Sequence, residues 1–67
     1  MEEKILKFIL DCAEERKVVP FSMIEEEFNI MMDDKLKSVV ADALWDIDTV
    51  SDALVEEEGF VITFFEN

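Results

Sequence analysis

Six residues in the second half of this 67-residue chain have types and spacing suited to chemistry. Asp42, Asp46, Asp48, Asp52 and Glu56 are carboxylates, and Trp45 stands among them. On a helical wheel that starts at Leu36, Asp42 and Asp46 fall at roughly 240° and 280°. Asp48, Asp52 and Glu56 fall at roughly 120°, 160° and 200°, and Trp45 at roughly 180°. This pattern turns an acidic face outward with one indole at its centre. Ionised carboxylates accept strong hydrogen bonds from Arg and Lys, and a tryptophan rimmed by acids is the kind of side chain that anchors an interface. The chemistry implied is recognition of a cationic protein surface. The plainer alternatives are a solvated, solubilising charge and a Trp45 that packs into a core too small to spare an aromatic.

Charge supports recognition over catalysis. The chain carries 18 acids against 6 bases, has no histidine, and has a formal charge of -12. No base follows Lys37. Such a field repels nucleic acid and anionic lipid and attracts basic surfaces. Without histidine or tyrosine, no Ser–His or Cys–His nucleophile pair can be built. A single glycine excludes the phosphate-cradling loops. An enzyme is not expected, and neither is a cofactor or a metal site, since Glu56, Glu57 and Glu58 lack calcium-loop spacing. Cys12 reads as a small buried hydrophobe. A lone cysteine suits a reducing, cytoplasmic setting, and no apolar run approaches the ~20 residues of a membrane span.

The elements that must position these residues follow from periodicity. The length predicts one small acidic domain over residues 1–67. Residues 2–16 read as a helix, with Ile5, Phe8, Ile9 and Cys12 on one stripe that Leu6, Leu10 and Ala13 widen to about 200°. Val18 to Phe21 is short and extended, because Pro20 restricts the residue before it. Ser22 and Glu25 have capping-box spacing for a short helix over 22–29. Asp33 caps a long helix, and Leu36, Val40, Ala43, Ile47, Val50 and Leu54 keep helical spacing up to about residue 58; the alternative is a break near residues 48–51, with Thr49 and Asp52 starting a second helix. Gly59 then falls where a helix C′ residue belongs, and residues 60–65 read as a strand that is apolar on both faces. On that long helix, seven acids from Asp42 to Glu58 occupy roughly 24 Å. That is one per about 3.5–4 Å, near the ~3.4 Å phosphate spacing of one DNA strand.

The fold expected is mainly α, with three helices and a short two-stranded pairing of 18–21 with 61–65, in the order α-β-α-α-β. This layout resembles a reduced winged helix-turn-helix. The resemblance covers most of the chain but carries no diagnostic motif. It implies the fold and not DNA binding, because the long helix is acidic where a recognition helix is basic and no room is left for a hairpin wing. A three-helix bundle with an extended C-terminal tail is the alternative.

The function expected is a non-enzymatic protein–protein interaction module. It would be an acidic inhibitor or decoy that occupies a basic surface of a nucleic-acid-binding protein or enzyme, in the manner of a DNA mimic, a phage- or mobile-element-type antagonist or an immunity protein. Asp42, Trp45, Asp46, Asp48, Asp52 and Glu56 are its partner-binding residues, with no direct contact to nucleic acid or membrane. The alternative is a structural homodimer formed through the first helix or the strand from Phe60 to Phe65, with acidity serving solubility.

Overall fold

A computed structural model describes residues 2–66 of the chain. Its elements are α1 (Glu2–Glu15), β1 (Val18–Pro20), α2 (Phe21–Phe28), α3 (Asp34–Trp45), β2 (Val50–Val55) and β3 (Gly59–Phe64). The strands form one antiparallel sheet in the order β1-β3-β2. None of the described helices is long and apolar enough to cross a membrane.

The expected fold class is overturned here: the molecule is a mixed helix-and-sheet fold with three strands, not a helical body with one two-stranded pairing and not a bundle with a tail. The error has a local cause. The helix predicted over residues 33–58 stops at Trp45, and residues 50–55 are a strand. Asp46, Asp48, Thr49, Val50, Ser51 and Asp52 are all weak helix formers. Their spacing misled because β2 carries an irregularity between Val50 and Asp52. A bulge inserts one extra residue, so two residues three apart share a face. Val50 and Ala53 do so, opposite Phe64 and Ile62, and both are buried. A three-residue step that looked helical is a strand with a bulge.

With α3 shortened, the hairpin for which no room was expected is formed by β2 and β3. β1 pairs with β3, but through Gly59 to Val61 rather than through 61–65: Val18 lies opposite Val61, Val19 opposite Phe60 and Pro20 opposite Gly59. Gly59 is therefore the first residue of β3 and not a helix cap. A Cβ there would lie 2.7 Å from the Val19 carbonyl carbon and 2.8 Å from Pro20 Cα, both backbone atoms. The need for glycine is close approach, since its φ is not positive.

The core gathers one face of each element. Ile5, Ile9, Val19, Ile24, Val40, Leu44 and Phe60 are fully enclosed, and Leu6, Phe8, Leu10 and Cys12 pack partly against them. The wide stripe of α1 is thus mostly absorbed within the chain. Phe21 meets Phe60 edge to face at 5.0 Å between centroids, and Phe8 meets Phe28 in the same way at 5.6 Å. Asp33 caps α3 as its type suggests, its Oδ1 accepting from Leu36 N at 2.8 Å. The Ser22–Glu25 box does not form. Pro20 is the N-cap of α2 and supplies no side-chain cap bond. Glu25 Oε2 instead accepts from Met32 N at 2.9 Å, tying the α2–α3 connection.

Candidate functional site

The six predicted binding residues divide into two groups. Asp42, Trp45, Asp46 and Asp48 collect around the C-terminal end of α3. Trp45 is its last residue and is 51% exposed, so it is not core. Asp42 lies three residues earlier, one turn back on the same side, and is exposed. Asp46 is the C-cap, and Asp48 is exposed in the connection to β2. Asp52 and Glu56 are carried away. Asp52 is half-buried in β2 opposite Thr63, and Glu56 stands in the β2–β3 turn. At ~3.3 Å per residue, Glu56 is roughly 20 Å along the strand from Val50.

The continuous acidic rail of seven carboxylates therefore does not exist. Its duplex-like spacing goes with it, because Glu56, Glu57 and Glu58 are in a hairpin turn whose form is fixed by Glu56 N donating to Gly59 O at 2.9 Å. What remains is a compact corner. The peptide dipoles of α3 leave its C-terminal end partially negative, and acids there are unfavourable. No base lies in the last turn, and Asp46 caps it. The chain thus holds like charge against like charge at the foot of its one tryptophan.

Residues not foreseen from sequence complete this corner. Phe65 N donates to Thr49 O at 3.0 Å, which brings the end of β3 alongside the α3–β2 connection. Together Glu14, Asp48, Thr49, Phe64 and Phe65 line a solvent-open hollow of about 340 Å³. Phe65 is 63% exposed there, while Phe64 also packs against the core. The run from Phe60 to Phe65 looked uniformly apolar. Strand alternation puts Phe60 and Phe65 on opposite faces, and the packing of the sheet decides that the Phe60 face is the buried one. Glu14 gave one signal, its place off the apolar stripe of α1.

Cys12 is half-buried on α1, and burial raises its thiol pKa above the ordinary value, with Arg16 pulling the other way. That environment suits an unreactive thiol. Among the described residues no three His, Cys, Asp or Glu side chains are grouped to hold a metal ion. No protein-family model, curated protein or solved structure matches the chain. The class that fold and site define is a small acidic α/β domain with an exposed, aromatic-centred acidic corner.

Proposed function

We propose that the chain is a non-enzymatic binding protein that occupies a basic surface of another protein, as an inhibitor or decoy of a nucleic-acid-binding protein or basic enzyme. The observation that carries this is the half-exposed Trp45 flanked by Asp42, Asp46 and Asp48 in a molecule of net charge -12. A large amphipathic ring beside acids supplies an anchor and steering together. The acids at the C-terminal end of α3 are at odds with the helix dipole, and a cationic partner would relieve that conflict. Local rules tend to be broken where binding compensates.

The test is affinity capture from cell extract with elution by a salt gradient, run in parallel with a Trp45→Ala/Asp46→Lys/Asp48→Lys variant. A basic protein retained by the natural chain, released by added salt and lost from the variant supports the reading. Equal retention by both chains sinks it.

A homodimeric assembly subunit is the second reading, favoured by one observation away from the acidic corner. Ile5, Ile30, Leu36, Val39 and Val40, with Glu2, line an apolar hollow of about 200 Å³, and nearby Met31 is 79% exposed. Strand addition through β3 is not its route, because β3 is the central strand and has a neighbour on each side. Sedimentation at micromolar concentration decides it, and a strict monomer ends it.

A further inference from the structure

We infer that the hollow between α1, the α3–β2 connection and the end of β3 seats one arginine side chain from the partner. This rests on the reading of the chain as a binder of basic protein, and it assigns that partner a residue.

The walls of the hollow define the occupant. Glu14 comes from the last turn of α1, Asp48 and Thr49 from the connection after α3, and Phe64 and Phe65 from the end of β3 and just beyond. Two acidic residues from separate elements and the exposed Phe65 border one space. Its volume of about 340 Å³, open to solvent, is ample for one long side chain entering from another protein, so the choice of occupant rests on the chemistry of the walls. An anion is rejected by Glu14 and Asp48. Guanidinium is planar, stacks on an aromatic face and donates through a fork of N–H groups to carboxylates, whereas ammonium is a compact, strongly hydrated point charge. Phe65 and the two acids together match the first description. Two of the chain's own cations are occupied elsewhere: Arg16 Nη1 donates to Met23 Sδ at 2.9 Å, and Lys37 Nζ lies 4.4 Å from the Phe21 ring centroid. A second copy is a poor occupant, because two molecules of charge -12 repel.

The test is a titration of the ¹⁵N-labelled protein with acetyl-Gly-Arg-Gly-amide at low salt, followed by amide chemical shifts. The lysine and citrulline tripeptides serve as comparisons. The expected result is saturable shifts at Asp48, Thr49, Phe64 and Phe65, weaker with lysine and absent with the uncharged citrulline. Phe65→Ala and Glu14→Gln should each weaken the arginine peptide about two- to fivefold, with Glu26→Gln on the exposed side of α2 unchanged. Glu14 is an exposed helical position, so Glu14→Gln keeps the test valid if Phe65→Ala disturbs the strand end. Arginine acting no better than citrulline, or shifts insensitive to both variants, overturns the inference. Shifts confined to Trp45, Asp42 and Asp46 overturn the hollow and leave the broader reading standing. Failure of a polylysine or polyarginine peptide to bind anywhere at low salt removes both.

Discussion

The backbone amide of Phe65 donates to the carbonyl oxygen of Thr49 at 3.0 Å, one residue beyond the end of β3. Together with the pairing of Phe64 opposite Val50, this bond holds Phe65 beside the connection that carries Asp48. It predicts a difference between two substitutions. Phe65→Ala removes the ring and keeps the donor. Phe65→Pro removes both and should be the less stable by about 0.5–1.5 kcal/mol, the usual net worth of one hydrogen bond. Urea unfolding of the two variants measures the difference, and identical midpoints would show that the bond holds nothing.

Trp45 is the only tryptophan in the chain, so its fluorescence reports on the corner alone. Its exposure predicts easy collisional quenching, and its acidic neighbours predict a charge preference. With each quenching constant divided by that for free N-acetyltryptophanamide, caesium should be favoured over iodide at low ionic strength. The gap should close as salt is raised toward ~1 M, where the screening length falls to about 3 Å. Equal normalised constants for both ions at low salt would mean that the carboxylates do not set the local potential.

The contrast between α1 and β2 explains how much of this was legible in the sequence. Of the stripe Ile5, Phe8, Ile9 and Cys12, the structure buries Ile5 and Ile9 and half-buries Phe8 and Cys12, with Ala13 from its edge also buried. The Asp33 cap was readable because its chemistry is local, closing within three residues. β2 was not readable, because a bulged strand and a helix both place apolar residues three apart. What separates them is pairing with β3, a contact with residues about ten positions away. The same gap in information split the site. Asp42, Trp45 and Asp46 lie together at the end of α3, where helical spacing holds. Asp52 and Glu56 were assigned to their face only by extending a helix that ends. Glu14 and Phe65 enter the site through tertiary contact alone.

The approach of β1 to β3 makes Gly59 a sensitive position. Any side chain there meets the backbone of Val19 and Pro20, which cannot rotate aside. Gly59→Ala should therefore destabilise the fold by about 1–3 kcal/mol, the range for forced overpacking. Gly59 adjoins the β2–β3 turn, so hairpin amides should lose hydrogen-exchange protection first. A Gly59→Ala chain as stable as the natural one would show that β1 and β3 sit further apart than described.

Burial raises the Cys12 thiol pKa from its reference value of 9.0, which has a definite sign for stability. The folded chain holds that proton more tightly than the unfolded chain. The associated stabilisation is complete below the unfolded pKa and is lost as pH rises through the folded one. Stability should accordingly decline as pH rises past the reference value of 9.0, and the decline should be shallower in Cys12→Ala, where no thiol titrates. Parallel urea titrations of the two chains from neutral to alkaline pH provide the comparison. Alkylation of the folded thiol should also be slower than that of a free cysteine.

Under the proposed function, Asp46 should join stability to binding in opposite senses. It caps the negative end of α3, with no basic residue in the turn before it. Removing its charge relieves an unfavourable interaction worth about 0.3–1 kcal/mol at low ionic strength. Asp46→Asn should therefore raise the urea midpoint, Asp46→Lys should raise it further, and both gains should fade with added salt. If the corner binds cationic protein, the same two variants must lose affinity in the same order, because each weakens the field around Trp45. Stability and affinity measured on one set of variants, at two salt concentrations, would then move in opposite directions. A variant that gained stability with undiminished binding would place the recognition surface elsewhere on the molecule, and Asp46 would be an ordinary solvated acid.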